Sequence, residues 1–287
     1  MSISAKPFPI WGFFSLLTNG LLMLAVILLI WQQQRLSNGV EETTTPTVSD
    51  TQTAEPELGP RHQLNYPQWV EILQKEAKVA SEKSPQHLSI LAGDSLSLWF
   101  PPELLPENRS WLNQAISGET SDGLLKRLNL FDNTEPEVIF VMIGINDLIR
   151  GIGDEIILEN QQQILGYLRK VHPQAKIFVQ SILPHGGAES TWEGKEKLLK
   201  IPNNRIQQLN QQLQTIASNQ GVKYLDLYSL FVNPEGNLRS ELTTDGLHLS
   251  PQGYMVWGTA LQIYSQQALE LQPLPNRKDK VKDKVKI

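Results

Sequence analysis

The chain has 287 residues, 40% hydrophobic and 19% charged, which excludes a disordered chain of low hydrophobicity and high charge. Its 25 Lys and Arg against 30 Asp and Glu give a formal charge of -5 without a basic stripe, so no nucleic-acid partner is expected. Cysteine is absent, and with it disulfides, thiolate metal sites and a thiol nucleophile.

After a short tail at 1–9, the run from Ile10 to Trp31 carries no charge. At 1.5 Å per residue its roughly 22 residues match a hydrocarbon core of about 30 Å. Trp11 and Trp31 stand at its ends, and no small-residue cleavage site follows. The expectation is one transmembrane helix acting as an uncleaved anchor at 10–31. Lys6 before it and Arg35 after it nearly balance, and a short leading tail ahead of an anchor places the main domain outside the cytoplasm. Residues 32–61 are rich in Thr, Glu, Pro and Ser and read as a flexible linker. The charged segment 273–287 reads as a solvated tail. One domain of roughly 210 residues remains at 62–272, with no room for a second catalytic domain.

Within that domain apolar strand-like runs alternate with longer helical stretches, the pattern of parallel βαβ units. Strands are expected at His87–Ser95, Ser110–Ser117, Val138–Asp147, Lys176–Pro184 and Val222–Tyr228, with mostly continuous apolar cores that suit burial on both faces. Helices are expected at Glu119–Leu128, Asp154–His172, Pro202–Asn219 and Pro251–Leu269. The fold class is α/β, a three-layer α/β/α sandwich on a five-stranded parallel sheet, preceded by the anchor. Ligands in such sheets sit beyond the carboxyl ends of the strands.

The reactive residue types fall near those ends. The first strand runs into Gly93, Asp94 and Ser95, so a sharp turn can present the serine hydroxyl. Serine needs a histidine to take its proton and a carboxylate to orient that histidine. TTDGLHLSPQGY supplies both, with Asp245 and His248 three residues apart. A developing oxyanion needs preorganised donors. Gly118 can bring its backbone N–H close to a ligand, Asn146 carries an amide donor aimed by the turn at Gly144, and the Ser95 amide is a third. The competing reading of Ser95 is a helix N-cap, and of Asp245 and His248 a surface turn pair.

The GDS at Ser95, the glycine block with Gly118, the GIND with Asn146 and the DGLH ending in His248 together resemble the four blocks of SGNH or GDSL hydrolases. The resemblance covers residues 87 to 265. It implies a flavodoxin-like sheet and ester or thioester hydrolysis without a cofactor, through an acyl-enzyme on Ser95. His248 would be the base, Asp245 its orienting acid, and the Ser95 amide, Gly118 and Asn146 the oxyanion donors. Two departures stand out. Pro101 and Pro102 cut short the helix after the nucleophile, and Ala115 stands where many relatives carry glycine. The implied substrate is a small O-acyl group on carbohydrate or cell envelope, or a lipid ester. An acyltransferase or a non-catalytic carbohydrate- or lipid-binding module on the same fold is the alternative.

Other residues have plainer readings. Asp94 and Asp147 are expected to brace their loops. His185, beside two glycines, is expected to be solvated, with substrate contact as the sharper alternative. His172 is expected as a cation at a helix end. His62 and His87 lack catalytic partners nearby in sequence, and the histidines lack the paired spacing of a zinc site, so no metal is expected. Leu98, Trp99 and Phe100 either line an acyl pocket or pack in the core.

Overall fold

The structure, a computed structural model, describes residues 64–270, with side chains through residue 266. The expected anchor, linker and charged tail lie outside the described residues, as does His62. Among the described residues no helix is long and apolar enough to cross a membrane.

Helix α1, Tyr66–Lys83, opens on a capping box that the sequence reading left unassigned. Asn65 accepts from the Gln68 amide at 3.1 Å, and the Gln68 side chain accepts from the Asn65 amide at 2.9 Å. Its buried residues Trp69, Leu73 and Ala77 recur at helical spacing. The strands are β1 Leu88–Gly93, β2 Ser110–Ala115, β3 Val138–Met142, β4 Lys176–Gln180 and β5 Lys223–Leu225. Between and after them lie helices α2 Ser95–Leu98, α3 Ser121–Arg127, α4 Ile145–Ile149, α5 Asp154–Val171, α6 Lys195–Leu198, α7 Asn203–Asn219, α8 Tyr228–Phe231 and α9 Pro251–Glu270.

The five strands form one sheet in the order β2-β1-β3-β4-β5, and every neighbouring pair is parallel. That is the flavodoxin-like order the resemblance implies. β1 and β3 are buried throughout, because both faces are covered. Ile90, Ile139, Val141, Ile177 and Val179 pack with residues of α1, α3, α5 and α7. Leu91, Phe140, Met142 and Phe178 pack instead with α2, α8 and α9 around the fully buried Trp257, whose Nε1 donates to Gln180 Oε1 at 2.7 Å. Each large apolar side chain so withdrawn contributes about 1.5–3 kcal/mol. Three layers result, as expected.

The expected strands run past the observed ones at their carboxyl ends. Val138–Asp147 stops at Met142 because Gly144, at φ 133°, turns the chain into α4. A Cβ there would also meet Ile182 Cδ1 at 2.5 Å, so that side chain would have to move, while the backbone angle itself favours glycine.

Candidate active site

The turn after β1 is built by close approach. A Cβ on Gly93 would lie 2.2 Å from the Met142 carbonyl oxygen and 2.7 Å from Ser97 Oγ, so only glycine lets α2 fold so tightly over β3. Asp94 caps α2, its Oδ1 accepting from the Leu96 amide at 3.1 Å, and Ser95 is the first helical residue. The expected brace is thus present. Asp94 is 1% exposed, and its second oxygen is buried without a hydrogen-bond partner. Burial pushes its carboxyl up to about 7, against the lowering effect of the Leu96 amide and with further push from the charges of Asp147 and Glu119.

The late pair closes on itself. Gly246, at φ 89°, turns the chain so that the Asp245 carboxylate accepts from the His248 amide at 2.7 Å, the Leu247 amide at 2.9 Å and His248 Nδ1 at 2.8 Å. Burial would raise the Asp245 carboxyl, but the hydrogen bonds from His248 and Leu247 outweigh it and hold it below the usual range. With Nδ1–H donated to Asp245, Nε2 of the neutral ring is left as an acceptor. The loop is moored where the Thr191 and Trp192 amides donate to the Asp245 carbonyl at 2.8 and 2.9 Å. His248 packs on Trp99 with ring centroids 4.6 Å apart, and the Trp99 amide donates to the Ser95 carbonyl. One turn of α2 therefore carries Ser95 at its start and the ring that seats His248 at its end.

Gly118 and Asn146 follow the ends of β2 and β3, the strands on either side of β1. Gly118, at φ 74°, occupies the third position of a turn closed by the Glu119 amide on the Ile116 carbonyl, a place that calls for glycine. Asn146 Nδ2 is buried and has no hydrogen-bond partner. An unpaired buried donor costs about 1–3 kcal/mol. Asp147 is fully buried and ties the two loops, accepting from the Ser121 amide at 2.9 Å and Ser121 Oγ at 2.6 Å. Arg150 Nη2 adds a second tie, donating to the Gly118 carbonyl at 2.6 Å.

Two histidines depart from expectation. His185 is not solvated but 3% exposed, with Nδ1 accepting from the Gly187 amide at 3.0 Å and Nε2 donating to the Ile201 carbonyl at 2.5 Å. Burial lowers its pKa. His172 is also buried, stacked on Phe131, and burial holds it toward the neutral form instead of the expected cation. His87 is exposed and pairs with Glu137 at 3.0 Å. The apolar run after Ser95 divides: Phe100 is core, Leu98 half-buried, and Trp99 is 41% exposed against His248. Among the described residues no group of three or more His, Asp or Glu is placed to hold a metal ion. Sequence reading missed a buried ion pair under the Gly118 turn, Arg127 Nε on Glu119 Oε2 at 2.6 Å.

The model of the GDSL-like lipase/acylhydrolase family matches residues 89–256. An N-acylneuraminate cytidylyltransferase of Streptococcus agalactiae serotype V is 27% identical over 199 residues, 67% of this chain and 44% of that protein. The chain thus spans less than half the length of that curated relative. The platelet-activating factor acetylhydrolase IB subunit alpha1 of Rattus norvegicus is 24% identical over 197 residues, 65% of this chain and 77% of that one. Among solved structures, one described as a platelet activating factor from Streptococcus pneumoniae aligns with a TM-score of 0.62 at 27% identity, covering 69% of this chain and 94% of its own. A GDSL-like lipase from Bacteroides thetaiotaomicron shares the fold at a TM-score of 0.57 and 19% identity, over 71% of this chain and 100% of its own.

Proposed function

Because the chain belongs to the GDSL-like lipase/acylhydrolase family, we propose that it hydrolyses an ester through an acyl-enzyme on Ser95. Ser95 Oγ attacks the acyl carbonyl while His248 Nε2 takes its proton, and Asp245 steadies the imidazolium. The Ser95 and Gly118 amides and Asn146 Nδ2 receive the oxyanion. The ester C–O bond breaks, and His248 returns the proton to the leaving alcohol. Water, deprotonated by the same ring, then releases the acid. The observation that carries this reading is the seating of the Asp245-held His248 ring on Trp99, one turn beyond Ser95.

A small O-acyl group on carbohydrate or cell envelope is the first substrate class. A cleft of about 420 Å³ beside Asp245 is lined by Glu189, Thr191, Glu235 and Ser240, polar side chains able to bond sugar hydroxyls. A relative named for an N-acylneuraminate enzyme is in keeping with the carbohydrate, and one named platelet-activating factor acetylhydrolase with the small acyl group alone. A lipid ester is the second class, favoured by an apolar groove of about 710 Å³ that passes Leu98, Trp99, Pro101, Leu105 and Trp111. The apolar run Ile10–Trp31 supports a single-pass anchor, with the domain outside the cytoplasm and able to reach envelope esters.

The test is hydrolysis of chromogenic esters, acetate through octanoate, by the full-length chain in detergent beside its Ser95→Ala variant. Loss of turnover in Ser95→Ala with a preference for acetate supports the first class, and a preference for octanoate the second. Turnover that survives Ser95→Ala would sink the mechanism. A folded wild-type chain inert toward these and toward acetylated polysaccharide would favour a binding module.

A further inference from the structure

We propose that Arg127, held by Glu119, is a positioning residue that sets the Gly118 amide in register with the nucleophile turn at Ser95. The proposal rests on the reading of Ser95 as nucleophile and of Gly118 as an oxyanion donor. Arg127 closes α3, and together with Glu119 it is almost wholly buried, each side chain 3% exposed. The guanidinium is spent on three partners. Nε donates to Glu119 Oε2 at 2.6 Å, Nη1 to the Gln114 carbonyl at 2.9 Å, and Nη2 reaches the Gly93 carbonyl at 3.5 Å.

Those partners bracket the site. Gln114 lies before the Ile116–Glu119 turn and Glu119 ends it, so Gly118 is gripped from both sides by one rigid planar group. Gly93 is the last residue before Asp94 and Ser95, and its carbonyl also accepts from the Ile116 amide at 3.2 Å. The cation therefore links the two loops whose amides serve one oxyanion, beneath the surface and away from substrate. A planar fork with fixed N–H directions can do this where a lysine ammonium, a point donor, cannot hold all three acceptors.

Gly123 leaves room for the pair. A Cβ there would lie 1.9 Å from Glu119 Oε1 and 2.9 Å from its Cδ, so the carboxylate would have to shift from its present place on Arg127. Gly123 does not need its own backbone freedom, since its φ is not positive. Its presence in α3 is explained by the carboxylate it accommodates.

The test uses the full-length chain and its Arg127→Lys, Gly123→Ala and Ser95→Ala variants. Ser95 is counted by stoichiometric labelling with a fluorophosphonate, and kcat and KM are measured per labelled site on a short acyl ester. Arg127→Lys is expected to lower kcat per site by about tenfold to a hundredfold, with KM changed by less than about threefold, because misplaced donors weaken only the transition state. Gly123→Ala, which leaves Arg127 in place and favours the helix, is expected to lower kcat in the same sense and carries the test where Arg127→Lys does not fold. Wild-type kcat per site in the folded variants would overturn the positioning role, as would a rate loss that only follows lost labelling. Turnover by Ser95→Ala would instead overturn the underlying reading of the nucleophile.

Discussion

Asp94→Asn separates the stability of this fold from the pH dependence built in beside Ser95. The Asp94 carboxyl moves from 3.8 to about 7 on folding, so the folded state holds its proton over a window in which the unfolded chain has lost it. A raised acid contributes stability that is fully present below about pH 4 and is lost as pH rises to 7. At 1.36 kcal/mol per unit, the loss across the window is about 4 kcal/mol, of which about 3 kcal/mol falls between pH 5 and pH 8. Asparagine cannot ionise, yet its Oδ1 can still accept from the Leu96 amide that Asp94 caps. Its buried NH2 imposes an offset that does not change with pH. Urea unfolding of both proteins at pH 5 and pH 8 therefore isolates the carboxyl: the variant is expected to gain about 3 kcal/mol on the wild type between the two. Stability differences that are equal at the two pH values would refute the assignment of a buried, near-neutral acid at this turn.

Asn146→Ala removes the amide whose nitrogen is buried and unpaired, so kcat on a short ester is expected to fall by about 10²–10³-fold. The urea midpoint is expected to hold or rise, and an unchanged kcat would take Asn146 out of the oxyanion site. His185→Phe breaks the hydrogen bonds to the Gly187 amide and the Ile201 carbonyl, and is expected to cost about 2–4 kcal/mol of stability. Its kcat per labelled Ser95 should match wild type, and a fall per site would give His185 a part in the reaction.

Local chemistry made the turns that carry the candidate residues legible. Glycine at 93, serine at 95 and the Asp245–His248 spacing each act within a turn, and turns are short-range features. The parallel sheet was equally readable, because strands buried on both faces leave continuous apolar runs. The helix Tyr66–Lys83 was missed although its signals were present: Asn65 three before Gln68, Pro67 in the first turn, and apolar residues at 69, 73 and 77. Strand ends were overrun because apolar sequence continues into the turns, as in Ile143 and Ile145, where Gly144 alone marks the change of direction.

What stayed hidden is burial decided by distant partners. Arg127 ends a helix one residue after Lys126, and both read as cations suited to a helix C-terminus. Lys126 behaves so, exposed and paired with Asp122 at 2.6 Å. Arg127 instead turns inward, because the carbonyls of Gly93 and Gln114 converge at the ends of β1 and β2 and Glu119 stands at the next loop. His185 follows the same logic: its glycine neighbours suggest exposure, but the Ile201 carbonyl and the Asn203 side chain, from a segment later in the chain, enclose it. Burying a cation or an imidazole costs least where its donors find acceptors. The residues that complete such sets lie on other elements, so the polar groups that hold the loops at 93–95 and 116–119 are visible only once the strands have brought those loops together.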